Sequence, residues 1–114
     1  MAENNLADLS MDFAVKILRI ADGIKGHYSL VNQLERSATS IGANIREAKY
    51  AHSKADFISK LHVSLKETSE SIYWLTLLKR TNLINYNFDE QLSLAEEIKR
   101  MLIASLNTAK ENNK

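Results

Sequence analysis

Asn44, Glu47, Glu67 and Glu70 are the side chains whose types could do chemistry if the chain brought them together. Carboxylates inside a helical bundle can hold a pair of metal ions. That site uses Glu-x-x-His on two helices and a glutamate on each of the others. Here Glu47 is followed three residues on by Tyr50, Glu67 by Glu70 and Glu70 by Tyr73, so the pattern is missing. The chain has no cysteine, which excludes disulfides and thiolate metal sites. His27, His52 and His62 are far apart and lack ligand spacing. The sequence contains no Ser-His-Asp relay, glycine-rich phosphate loop or redox motif. The reading is a protein that is not an enzyme, with no catalytic residues, no cofactor, no metal and no evident small-molecule substrate. Asn44 sits one residue from an apolar seam. It is expected to be mostly buried and to hydrogen-bond a neighbouring helix or a carboxylate. A network of Asn44, Glu47, Glu67 and Glu70 could line a small ligand or metal site, or it could fix helix register. The second use is preferred.

A different chemistry is phosphate binding. Arg36, Arg46, Lys49, Lys54, Lys60 and Lys66 fall in the middle of the chain, which carries a slight positive excess, whereas both ends are slightly negative. The formal net charge is only +1, so composition gives no electrostatic case for a nucleic-acid or membrane partner. Solvated helix faces are the preferred reading of these residues. Binding to RNA or DNA is expected to be weak at most, indifferent to base sequence and sensitive to salt.

The elements that must position these groups are helices. The chain has 114 residues, no proline and three glycines, too few turn residues for a β-rich domain. Leu6, Leu9, Phe13, Ile17, Ile20 and Ile24 recur at three- and four-residue steps, an amphipathic stripe over about 5–22 that Gly23 and Gly26 then stop. A second helix over about 30–50 is capped by Ser29 and carries Leu34, Ala38, Ile41, Ile45 and Ala48 as its seam. Its middle is thin, from Ser37 to Ala43, so a neighbour can approach closely. Gly42 costs about 1 kcal/mol of helix propensity there, which calls for a packing or bending reason. Ser53 and Asp56 have capping-box spacing and open a third helix over about 54–80, with Ile58, Leu61, Leu65, Thr68, Ile72 and Leu75 as its seam. Asn87 and Glu90 repeat that spacing and open a fourth helix over about 88–109, with Leu92, Ala95, Ile98, Leu102, Leu106 and Ala109 on one side. Residues 110–114 are expected to fray. Four amphipathic helices with short connections give one all-α domain, an antiparallel up-down-up-down four-helix bundle.

The third helix is apolar on most sides beyond Ser71. One seam in a small bundle does not need that much apolar surface, so Tyr73, Trp74, Leu77 and Leu78 are expected to form an interface between copies of the chain. No apolar run approaches the length of a membrane span, and the first ten residues lack the basic and apolar regions of a signal peptide. A soluble cytoplasmic protein is the expectation.

The stretch QLERSATSIGANIREAKYAHSKADF, residues 33–57, resembles the signature of the four-helix-bundle proteins named for the 23S rRNA intervening sequence. Arg36, Ser40-Ile41, Ala43-Asn44-Ile45, Glu47, Ser53, Phe57 and Lys66-Glu67 carry the resemblance, and residues 73–78 resemble one branch of that family. A wider relative is the accessory variability determinant of diversity-generating retroelements, a bundle that forms a pentamer and binds nucleic acid. The resemblance thus implies a homo-oligomer, with a pentamer favoured, and nucleic acid as a partner. This chain departs in having Gly42 where many relatives have proline, Ala48 where many have glycine, and a near-neutral charge where the nucleic-acid-binding relatives are basic. The alternative is an oligomeric adaptor or assembly protein with no nucleic-acid role.

Overall fold

The structure is a computed structural model that describes residues 2–111, with side chains described from Asn5 onward. Four helices follow one another: α1 Ala2–Gly23, α2 Tyr28–Lys49, α3 Lys54–Thr81 and α4 Asp89–Glu111, with no strand among the described residues. Residues 112–114 of the expected frayed tail lie outside the described residues, and α4 runs through Lys110. Each helix packs on its sequence neighbours, and α1 closes the square against α4. The particle is 49 × 20 × 20 Å, one helix long and two helices wide.

Side-chain pairings fix the helix directions. Arg36 and Ser37 on α2 meet Glu67 and Ser71 on α3, while Ile41, later on α2, meets Ser64, earlier on α3. Lys16 pairs with Glu90, and Lys79 with Asp89. Successive helices are therefore antiparallel, so α1 and α3 point the same way.

The core follows the expected stripes with informative shifts. On α2 the whole expected seam is buried. On α3 the buried line runs through Leu61, Ser64, Glu67, Thr68, Ser71, Leu75 and Leu78, and Ile58, Leu65 and Ile72 lie half-buried on its flank. The physical reason is the thin middle of α2: it draws the backbones together, and only small side chains fit between them. On α4, Gln91 joins the buried line, Phe88 extends it just before the helix, and Leu92 drops to its edge.

Two of the three expected caps hold. Ser53 accepts from the Asp56 N–H at 3.1 Å, and Asn87 accepts from the Asp89 N–H at 2.9 Å. The Ser29 cap does not hold. Gly26 and His27 both take positive φ, 81° and 54°, which turns the chain early enough that α2 begins at Tyr28. His27 stands in the cap position without a side-chain bond.

Gly42 has a packing role. A Cβ there would lie 3.1 Å from the Ser10 hydroxyl on α1, so a side chain at this position must displace Ser10. Gly42→Ala is expected to be near neutral, because its propensity gain of about 1 kcal/mol is spent displacing Ser10. In a Ser10→Ala background the same change is expected to stabilise by about 0.5–1 kcal/mol. Urea titration of the four proteins measures the coupling, and equal effects in both backgrounds would show that Ser10 offers no obstacle.

Candidate functional site

The α2·α3 interface holds the polar side chains. Ser37 and Ser71 are fully buried, one contributed by each helix, and their hydroxyls lie 2.8 Å apart. The Ser64 hydroxyl crosses to donate to the Ile41 carbonyl at 2.9 Å, and Thr68 donates back to the Ser64 carbonyl at 2.8 Å. At the edge of this seam Arg36 reaches across from α2 and donates to Glu67 at 2.8 Å and pairs with Glu70 at 2.6 Å. Glu67 is buried, and Glu70 also accepts from the Trp74 indole N–H at 3.3 Å. Two carboxylates three residues apart on one helix thus share one guanidinium from the other.

This differs from the expected network. Glu67 and Glu70 belong to it, but Glu47 is exposed. Asn44 is half-buried and donates to the carbonyl of Ser40 on its own helix at 2.8 Å, not to a neighbour or a carboxylate. It lies one turn along α2 from Ser40, within easy reach of the i−4 carbonyl, so it needs no partner on α3. The residue that organises the site is Arg36, which the sequence placed among the phosphate contacts. Its spacing to Glu67 and Glu70 across an antiparallel pair was the available signal. Among the described residues no group of three or more His, Asp or Glu could hold a metal ion.

The hydrogen bond from Arg36 holds Glu70 below the ordinary glutamate range, against the opposing effect of burial, and Trp74 adds to the lowering. A carboxylate whose folded pKa is depressed contributes stability above its unfolded value, about 4.3, and loses it as pH falls through the lowered folded value. Glu70→Gln is therefore expected to flatten the acid limb of stability below about pH 5. Thermal melts from neutral pH down to about pH 3 read this, and an unchanged slope would remove Glu70 from the acid response.

The six basic residues differ in their surroundings. Arg36 is compensated twice over. Arg46 and Lys49 lie on the opposite flank of α2, against α1. Lys66 is exposed on α3, and Lys54 and Lys60 are half-buried at its beginning.

The expected interface residues also separate. Leu78 is 2% exposed and belongs to the core. Trp74 and Leu77 are half-buried, and only Tyr73 stands out, 60% exposed with the Trp74 ring edge-on at 5.1 Å. The apolar surplus of this segment went largely inward because Leu75 and Leu78 close the core near the α3–α4 connection.

A further apolar surface is a groove of about 530 Å³ between α1 and α2, closed at one end by Phe57 and Leu61 of α3 and by Ser105 of α4. Ala7, Ala14, Gly42 and Ala43 line it with small side chains, and Met11, 64% exposed, stands on its rim. Val15 and Leu18 continue the exposed apolar line along α1. The sequence signal was present in α1: Ala7, Met11, Ala14 and Leu18 form a second three-four stripe beside the core stripe.

An antiparallel four-helix bundle with a hydroxyl seam, a shared guanidinium and an open apolar groove defines a class of small helical proteins. The chain belongs to the 23S rRNA-intervening sequence protein family, which matches residues 2–104. Its fold is similar to the crystal structure of a protein with unknown function from the S23 ribosomal protein family of Bacteroides thetaiotaomicron. The two share 40% identity over 94% of this chain and 99% of that one, with a TM-score of 0.85. No curated protein matches the chain. No helix among the described residues is long and apolar enough to cross a membrane.

Proposed function

We propose that the protein is a non-enzymatic, cytoplasmic assembly module. Its working form is a ring-forming homo-oligomer, with five subunits favoured, and it touches RNA or DNA only weakly, through phosphates and without base preference. The observation that supports assembly is the α1·α2 groove, whose small floor and exposed Met11, Val15 and Leu18 leave an apolar face without a partner in the monomer. Surfaces of that kind mark interfaces. The number five rests on the resemblance to the retroelement accessory protein.

The nucleic-acid part is supported by the family's link, in its name, to the 23S rRNA intervening sequence. It is weakened by the geometry. With Arg36 paired to two carboxylates, and Arg46 and Lys49 turned to the α1 side of α2, one subunit offers few phosphate contacts at once. A ring repeats those few contacts, and avidity rises with repetition. The second reading, an adaptor with no nucleic-acid role, is favoured by the same loss of Arg36.

Filter binding with structured RNA and duplex DNA from about 50 to 200 mM salt separates the two readings. Weak retention is expected, with a log–log salt slope no steeper than about −3 per subunit and no base preference. No retention at the lowest salt would leave the adaptor reading. Tight, salt-insensitive binding would contradict both.

A further inference from the structure

We infer that the α1·α2 groove of one subunit receives the α3 ridge of the next, head to tail, with both bundles pointing the same way. This inference rests on the oligomer reading above and gives it a register. The ridge is Val63, Lys66, Glu70, Tyr73 and Leu77, which follow one another at three- and four-residue steps on one side of α3. Val63 and Tyr73 are both exposed. Trp74, packed edge-on against Tyr73, gives that ring a firm seat. The groove is floored by small residues and the ridge carries large ones, the combination by which helices interdigitate.

Heights along the bundle match. Gly42 faces Ser10, and the carbonyl of Ile41 accepts from Ser64, so Ser10, Gly42 and Val63 lie at one level. Since α1 and α3 point the same way, Val63 stands level with Met11, and Tyr73 stands level with Ala21, a little under one turn beyond Leu18. A neighbour related by rotation about an axis along the bundle meets the groove at these same heights. Val63 then lands at Met11, and Tyr73 just beyond Leu18.

Charges match in the same register. Arg46 and Lys49 line the lower end of the groove. At that end, the ridge side carries Glu47 and Asp56. Glu47 is exposed and lies eleven residues, about three turns, from Arg36, so both are on the flank of α2 that faces α3. Further up, Glu35 lines the continuation of the groove beside Leu18, in company with Asp22, Arg19 and Lys25, and lies within about one turn of the level of Lys66, which is exposed. The charge match is strongest at the Arg46 and Lys49 end, and Glu35 offers Lys66 a partner at the mixed-charge upper end. The groove and the ridge occupy adjacent sides of a square bundle, roughly a right angle apart. A head-to-tail contact between such sides closes after about four or five copies. In this arrangement Arg46, Lys49 and Lys66 are interface residues and leave the set of phosphate contacts.

The absence of cysteine from the chain makes the test clean. Met11→Cys and Val63→Cys proteins, mixed and treated with a mild thiol oxidant, are expected to give a disulfide-linked dimer containing one of each. Either protein alone should give at least tenfold less. The double variant should give a ladder that ends at the ring size, because within one chain the two positions lie on different sides of the bundle and cannot reach each other. Arg46→Glu should raise the concentration at which the assembly dissociates at least tenfold, and adding Glu47→Arg should restore it. Efficient cross-linking of Met11→Cys to itself would overturn the inference in favour of a face-to-face dimer. So would a multimer that yields no mixed product and ignores Arg46→Glu. A monomeric wild-type protein would instead defeat the oligomer reading itself.

Discussion

Replacing Ser37 by leucine is expected to destabilise the protein by about 2–6 kcal/mol. The site has no spare volume: Ser37 and Ser71 are both fully buried and their hydroxyls touch at 2.8 Å. Forcing a larger side chain into a packed core costs about 1–3 kcal/mol. Stripping Ser71 of its partner while it stays buried adds about 1–3 kcal/mol more. The double change Ser37→Ala with Ser71→Ala removes both hydroxyls together and is expected to cost about 1 kcal/mol or less. Urea denaturation compares the three proteins. A leucine variant that loses less than the double alanine variant would mean that α2 and α3 separate easily, contrary to a close hydroxyl seam.

Phe88→Ala is expected to cost about 3–5 kcal/mol, the range for emptying a buried phenylalanine site. Phe88 is 1% exposed and stands just before α4, at the end of the longest connection. Tyr86 packs on it at 5.0 Å between ring centroids, Asn87 caps the following turn, and Lys79 reaches Asp89 at 2.8 Å. The polar contacts are exposed and contribute little by themselves. The ring therefore holds the α3–α4 connection against the core. The same denaturation experiment tests this, and native hydrogen exchange should show residues 82–88 opening first in the variant. A loss below about 1 kcal/mol would mean that the core closes over the gap.

The bundle was legible because each helix repeats its apolar residues at three- and four-residue steps, and because Ser53 and Asn87 mark two starts. Where the reading went astray, the cause was tertiary. The α3 seam looked as if it should follow Ile58, Leu65 and Ile72. Closeness to α2 instead selected Ser64 and Ser71, which no hydropathy pattern favours. Phe88 lies seven residues before Ala95 and so extends the α4 stripe one turn back, but its place beside the asparagine-rich connection makes it read as a boundary residue and not as core. The groove was hidden for a related reason. The second stripe on α1 is built partly of alanine, and alanine signals neither burial nor exposure until the neighbouring helix is in place.

The polar site was half legible. Glu67 and Glu70 stood out by type and spacing, but a positive residue in a near-neutral chain is more naturally assigned to solvent or phosphate than to the bundle interior. Arg36 is committed to those two carboxylates, and this changes the functional balance. Its loss from the basic set lowers the nucleic-acid case, while the open groove raises the case for assembly. Arg46, Lys49 and Lys66 cannot serve both uses at once. If they bind phosphate in the assembled state, Arg46→Glu should weaken RNA retention without changing the mass of the particle. If they hold subunits together, it should change the mass.

Light scattering on the untagged wild-type protein at micromolar concentration tests assembly most directly. The account predicts a single species several times the 12.9 kDa chain mass, with five copies favoured. A single species at 12.9 kDa would contradict it.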